Sequence, residues 1–391
     1  MKSVSVSNLP SNSYIDKPVF LDENYILLSP DVPVTEELKN RLMQWGYSRV
    51  LTDGIPTEAP PVVAMAEADR SSGDEETTAI LNKDVKEHEH WEEAFNTYRE
   101  MNDFLSKIFE RYLEKGEINR GIIFEKIRDL STFIKDRRKY MLRITDMHTD
   151  KHSYIVSQSV KTTIISLVLA DVMKLPVFKQ IDVGTAALLH EIGMIKIPER
   201  IYMSNKPLTP EEKKAIAAHP VLGFRILKEM GFTMPVTRAV LESHERIDGS
   251  GYPRGLTGDR ISFYSKIIAV ASSYVAIVSR RPFREALDGH TGIMDLLKNV
   301  GKQFDEQVIK VLVYTLSIYP IGTYVALSDG SKGVVVESDP NNPRHPIVKL
   351  LAKENGMPYR DQPILKTKKD DGIQIVRPLT RKEIETLQKK E

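Results

Sequence analysis

From about residue 140 to 318 the chain is an almost unbroken series of apolar stretches at helical spacing, and that series limits it to a mainly α architecture. "SYIVSQSVKTTIISLVLADVMKL", "IDVGTAALLHEIGM", "TPEEKKAIAAHPVLGFRILKEMG", "MPVTRAVLESHE", "SKIIAVASSYVAIVS", "HTGIMDLLKNVGKQ" and "DEQVIKVLVYTLSIY" repeat apolar residues every three or four positions, or run apolar long enough for a buried helix. Turns rich in Pro, Gly and Asn separate them. One helix start is explicit: Thr209 is placed as N-cap, Pro210 as the first helical residue, and Glu212 three residues on.

The flanks have a different texture. Residues 1–55 predict a small α/β module, in which "NYILL" is a buried strand and "VTEELKNRLMQWG" a helix. Thr35 is its N-cap, Leu38, Leu42 and Trp45 share one face, and Gly46 is the stop. Residues 56–84, with Asp74, Glu75 and Glu76 and several prolines and serines, predict an acidic flexible linker. In 85–139, Trp91, Ala94, Tyr98, Met101, Leu105, Ile108 and Tyr112 make one apolar stripe, and Gly116 separates two helices. This is read as a helical hairpin packed on the 140–318 domain, with a dimerising stalk, and hence a homodimer, as the other reading. Residues 319–378 alternate with period two around Asp-Gly and Asn-Asn-Pro turns, which predicts a β-hairpin module, and 379–391 form a polar helix or tail.

Composition narrows the function classes. Charge is abundant (28%) but balanced, with a net charge of +1, so no global field draws the chain to nucleic acid or to an anionic membrane. Cysteine is absent, which excludes disulfides, thiolate metal sites and cysteine nucleophiles and leaves only nitrogen and oxygen ligands for a metal. No apolar run is read as approaching the roughly 20 residues needed to cross a bilayer, and the N-terminus has no signal-like apolar core. A cytoplasmic protein is the expectation.

Five of the nine histidines fall between 148 and 244. His148 and His152 are four apart and would share a helix face. His190 is followed directly by Glu191 at the end of the apolar "GTAALLH", where a polar pair needs partners. His219 precedes Pro220, and His244 precedes "ERIDGSGYP". Four helical segments thus each offer nitrogen or oxygen donors, a set that suits iron, manganese or zinc.

"LLHEIGMIKIP", "IAAHPVLGFRIL", "SHERIDGSGYPRGL" and "VSRRPFREA" resemble the motifs of the HD-GYP phosphodiesterases, a branch of the HD superfamily that degrades cyclic di-GMP. The resemblance covers roughly 140–318, and the ends are similar to modules seen in family members. It implies a mainly α, HD-type helical bundle with a small N-terminal α/β module and a C-terminal β-hairpin module. It implies metal-assisted phosphodiester hydrolysis at iron or manganese. The expected ligands are His148, His152, His190, Glu191, His219 and His244, with His190 and Glu191 in catalytic positions. Arg281, Arg284 and Tyr252 match substrate-binding positions. The Gly-Tyr-Pro loop, intact from Asp248 to Pro253, matches a surface that in the family contacts diguanylate cyclase (GGDEF) domains.

Departures from the family pattern fall on the chemistry. Glu191 stands for an aspartate, Met194 for a phosphate-binding lysine, Ser243 for a histidine, and Ser272 and Val275 for aspartates. Asp146, Asp150 and Asp182 are the nearby acids that could compensate. With carboxylates thinned out, one weakly bound ion or none is expected. Three readings stay open: a cyclic di-GMP sensor or partner-binding scaffold, which is preferred; an active phosphodiesterase with an unusual ligand set; and action on another phosphate ester.

Overall fold

The computed structural model describes residues 2–17, 19–21, 26–28, 33–44, 47–57, 75–144, 153–280, 286–339, 342–367 and 372–388. The chain divides into two compact units, Met1–His88 and Glu89–Glu391.

In the first unit, strands β1 (Lys2–Ser5), β3 (Val19–Phe20), β4 (Ile26–Leu28) and β5 (Arg49–Thr52) form a sheet in the order β1-β5-β3-β4, and β2 (Tyr14–Ile15) pairs with β6 (Pro56–Thr57). Helix α1 (Glu36–Gln44) begins where the Leu38 amide donates to the Thr35 hydroxyl at 3.1 Å. Leu42 is buried with Val6, Val19, Val34 and Val50. Trp45 and Gly46 lie outside the described residues. The β1 strand, "KSVS", is not evident in the sequence. Its antiparallel register with β5, Lys2 opposite Thr52 through Ser5 opposite Arg49, gives it a partner that its own composition does not announce.

The second unit begins with the long α2 (Glu75–Lys115), which crosses the division, and α3 (Arg120–Ile144). Ala94, Tyr98, Met101 and Leu105 of the α2 stripe are fully buried, and Phe109 joins them where the 3.6-residue period drifts off strict alternation. Together with Ile123, Ile127 and Ile134 of α3 they belong to the same apolar core as the bundle that follows.

That bundle is built around α4 (Tyr154–Val172), which is apolar on all sides and so must be covered on all sides. It packs against α3, α5 (Val177–Leu189), α10 (Phe263–Val278) and α12 (Glu306–Leu316). Among the described residues α4 is the one helix long and apolar enough to cross a membrane, which corrects the reading that no run approaches that length. It is 83% buried inside the bundle, where its apolar surface is already covered. Around this core run the short α6 (Glu199–Tyr202), α7 (Pro210–Ala217), α8 (His219–Glu229), α9 (Met234–Leu241) and α11 (Gly289–Lys298). Helix α7 opens with a full capping box: the Glu212 amide donates to the Thr209 hydroxyl at 3.2 Å, and the Thr209 amide to the Glu212 carboxylate at 2.9 Å.

The C-terminal part of this unit is a five-stranded antiparallel sheet in the order β10-β9-β8-β7-β11, comprising β7 (Tyr324–Leu327), β8 (Lys332–Glu337), β9 (Ile347–Ala352), β10 (Ile364–Lys366) and β11 (Ile375–Pro378). The β7–β8 hairpin turns at Asp329-Gly330, with Gly330 at φ 80°, and extends into a larger sheet than the hairpin alone. Val325, Leu327, Val335, Val348 and Leu350 fill its inner face. The polar end forms a helix, α13 (Arg381–Gln388), with Leu387 buried beside Leu379 and Ala352.

Candidate functional site

Helix α5 delivers His190 to its C-terminal end, fully buried. The chain then leaves helical geometry at Glu191 and makes a 3-10 turn, Ile192–Lys196. Gly193 in that turn is what allows the next step. A Cβ there would lie 1.9 Å from the His219 carbonyl oxygen and 2.8 Å from the Gly223 amide, so only glycine lets the turn press against the start of α8. That approach sets His219 beside Glu191.

The Glu191 carboxylate faces both imidazoles, 3.6 Å from His190 Nε2 and 3.4 Å from His219 Nε2. His190 Nδ1 lies 2.7 Å from the Ala187 carbonyl, and His219 Nδ1 lies 2.7 Å from that of Ile216. A carbonyl only accepts, so Nδ1 of each ring carries the proton and Nε2 the lone pair. Both Nε2 atoms are buried and make no hydrogen bond to the described residues. Burial holds the His190 pKa below its ordinary value against the opposing pull of Glu191, and this ring is therefore a neutral donor.

His244 completes the group. It follows α9, packs edge-on against His219 with centroids 4.7 Å apart, and stacks on Tyr252. Donor atoms of Glu191, His219 and His244 lie within 4.8 Å of one another, a spacing that one metal ion could bridge. The donor set, two imidazoles and a carboxylate with a third imidazole adjacent, fits a divalent ion that takes nitrogen and oxygen ligands. It offers a single carboxylate to neutralise that ion.

The loop after His244 is held by carboxylates, two of them buried. Glu245 accepts from the Arg254 amide at 2.7 Å and the Leu256 amide at 2.9 Å. Glu242, fully buried, accepts from the Ser262 amide at 2.6 Å and from the guanidinium groups of Arg238 and Arg254. Asp248 accepts from the Ser250 amide and hydroxyl, at 2.9 and 2.6 Å, and these bonds hold its carboxyl below the usual carboxylate range. Gly251 is pressed so tightly that a Cβ would meet the Arg246 amide nitrogen at 2.3 Å. The loop is thus both a self-supporting turn and one wall of the site.

A cleft of about 700 Å³ opens over the triad. Glu191, His219, His244 and Tyr252 line it, as do Met194 and Ser272. The Ser272 hydroxyl donates back to the Ala269 carbonyl of its own helix at 3.3 Å, and buried Ser243 likewise donates to Val240 at 2.9 Å. Val275 is buried in the core instead. Asp182 is not among the cleft-lining residues. It lies eight residues before His190 on α5, about 12 Å of helix rise, and its charge is felt at Tyr264. His148, His152, Asp146 and Asp150, and Arg281 and Arg284, fall outside the described residues. The sequence reading passed over Arg246, Lys206 and Lys213, which also line the cleft. Arg246 carries a visible signal in its position two residues after His244.

Residues 143–308 match the HD domain family, and residues 324–387 match a KOW domain associated with HD domains. The helical domain thus matches an HD domain, and the relatives it resembles are named cyclic di-GMP phosphodiesterases. Similar characterised proteins include the cyclic di-GMP phosphodiesterase PdeB of Borreliella burgdorferi, 31% identical over 61% of this chain and 63% of that protein. The cyclic di-GMP phosphodiesterase PA4108 of Pseudomonas aeruginosa is 34% identical over 52% of this chain and 49% of its own length. A cyclic di-GMP phosphodiesterase of Thermotoga maritima is 31% identical over 56% of this chain and 58% of its own length. The chain therefore spans between half and five-eighths of these relatives.

Proposed function

We propose that this chain is a cyclic di-GMP signalling protein that holds the dinucleotide in the cleft beside Glu191 and hydrolyses it slowly or not at all. The names of the relatives support the ligand class. The observation that carries the reduced turnover is Ser272. It lines the cleft, but its hydroxyl is turned into its own helix, so Glu191 is the one carboxylate among the described donors. A two-ion centre concentrates four positive charges, and one carboxylate with neutral imidazoles leaves most of that charge uncompensated.

Glu191, His219 and His244, with His190 behind them, would hold a single iron or manganese ion, joined by His148 and His152 if α4 is preceded by a further ligand pair. Such an ion supplies Lewis-acid charge against a phosphate oxygen. Tyr252 forms the wall against which a base or ribose packs, and Arg281 and Arg284, by their match to the family motif, would supply further phosphate contacts. The loop from Asp248 to Gly255, with Asp248, Ser250, Arg254 and Gly255 exposed, is the surface offered to a diguanylate cyclase domain. The chain acts in the cytoplasm, alone or as a homodimer.

The second reading, an active metal-dependent phosphodiesterase with an unusual ligand set, is favoured by the same relatives' names. Calorimetric titration of cyclic di-GMP into the manganese-loaded chain, with chromatography of the recovered nucleotide, separates the two. Binding with intact recovery supports the sensor, product accumulation supports the enzyme, and absence of binding overturns both.

A further inference from the structure

We infer that Arg246 is the phosphate-holding residue of the cleft, the fixed cation that Met194 does not supply. This rests on the cleft being a phosphodiester site and names the group that recognises the ligand's charge.

Arg246 lines the same cleft as Glu191, His219 and His244. Its guanidinium has five N–H donors. One terminal nitrogen donates to the Glu245 carbonyl at 3.2 Å and the other to the Ser273 hydroxyl at a long 3.4 Å. Both acceptors are neutral. One face of the group lies over the Phe304 ring, 4.9 Å from its centroid. Among the described residues, no carboxylate lies within ion-pair distance of it, although three acids sit in the same stretch. Glu242 is committed to Arg238 and Arg254, Glu245 to two loop amides, and Asp248 to Ser250. The neighbouring arginines are paired at contact distance, whereas Arg246 feels the Asp248 charge only from farther off.

A partly buried cation whose direct contacts are all neutral, with Asp248 acting on it only from farther off, carries a desolvation cost that an anionic ligand would offset. A planar fork with unused donors matches two phosphate oxygens at once. The group is also preorganised. Its backbone is pinned by Gly251 and by the Gly249 amide donating to its carbonyl at 2.8 Å, while Phe304 fixes the guanidinium plane. Little side-chain entropy remains to be lost on binding. Exposed Lys206 and Lys213 on the rim of the same cleft add attraction for an approaching anion.

The test uses the full chain in the presence of chelator, so that a metal cannot hold the anion. Inorganic pyrophosphate and cyclic di-GMP are titrated calorimetrically into wild type, Arg246→Met and Arg246→Lys. Methionine keeps an unbranched stem over Phe304 without the charge. The expected result is at least about a tenfold loss of affinity for both probes in Arg246→Met, a smaller loss in Arg246→Lys, and melting temperatures that do not track the losses. Equal affinity in wild type and Arg246→Met overturns the inference and leaves cyclic di-GMP binding standing. Pyrophosphate binding that Arg246→Met abolishes, with no binding of cyclic di-GMP by wild type, upholds the inference and overturns the ligand assignment. Should Arg246→Met fail to fold, the lysine variant decides, and unchanged affinity there refutes a role for the guanidinium fork.

Discussion

The Tyr252 ring lies flat on the His244 imidazole, with centroids 5.0 Å apart and planes 4° from parallel. The Tyr252 amide donates to the His244 carbonyl at 3.1 Å, so the loop returns on itself to make this stack. The tyrosine thereby fixes the orientation of the imidazole in the triad. Removing such an orienting partner typically costs a metal site about tenfold or more in affinity. Tyr252→Ala is therefore expected to weaken manganese binding by about tenfold, while Tyr252→Phe, which keeps the stack, stays near wild type. Titration of manganese followed by paramagnetic resonance reads both.

The contact of Gly193 with the His219 carbonyl makes a second prediction. Gly193→Ala must separate the 3-10 turn from α8, at a cost of about 1–3 kcal/mol for overpacking, and it moves His219 away from Glu191. Urea unfolding should show a lower midpoint with unchanged slope, and manganese affinity should fall in the same variant. The lowered midpoint without the lost affinity would mean that the triad does not depend on this approach.

Charge at the site can be raised at one position. Ser272→Asp places a carboxylate on the cleft wall where a hydroxyl now bonds its own helix. Metal per chain after purification without chelators, read by elemental analysis, is expected to rise, with manganese affinity gaining roughly tenfold, or ~1.4 kcal/mol. No gain would show that position 272 does not face the ion.

The C-terminal helix supplies a pH prediction. The Glu383 carboxylate accepts from the Arg377 guanidinium at 2.7 and 2.9 Å and from the Thr380 amide and hydroxyl, each at 2.8 Å. Chiefly through Arg377, its pKa is held well below the usual carboxylate range. The unfolded chain then binds the proton first as pH falls, so the stabilisation is fully present above the ordinary glutamate value near ~4.3 and is lost progressively below it. Thermal melts of wild type and Glu383→Gln should differ at pH 7, and the difference should shrink steadily as the pH falls below the ordinary glutamate range, closing only well below pH 3. A difference that does not shrink as the pH falls would place the effect elsewhere.

Much of this architecture is written locally. The Thr209 capping box, the Leu42 face of α1 and the Asp329-Gly330 turn depend on residues within a few positions of one another, so pattern alone reveals them. The mainly α bundle follows from apolar periodicity in the same way. What the pattern misses depends on distant partners. Strand β1 exists because β5, some 45 residues on, offers a register. Helix α4 has the composition of a membrane span, and only the helices around it show that it is a core helix. At the site, His190, Glu191, His219 and His244 stand out in the sequence as chemistry-bearing residues, but their meeting depends on the close approach at Gly193. Arg246 is passed over for a different reason. An arginine in a charged loop reads as a surface residue until the carboxylates around it are seen to be committed to other groups.

The account is tested most directly by the fate of the ligand. The manganese-loaded chain is incubated with a several-fold excess of cyclic di-GMP, and the nucleotides are then resolved by anion-exchange chromatography. The expected result is cyclic di-GMP recovered intact, with less than one equivalent of linear dinucleotide or mononucleotide per chain. Linear product accumulating over many equivalents would contradict it, and would show that one carboxylate among these imidazoles is enough for turnover.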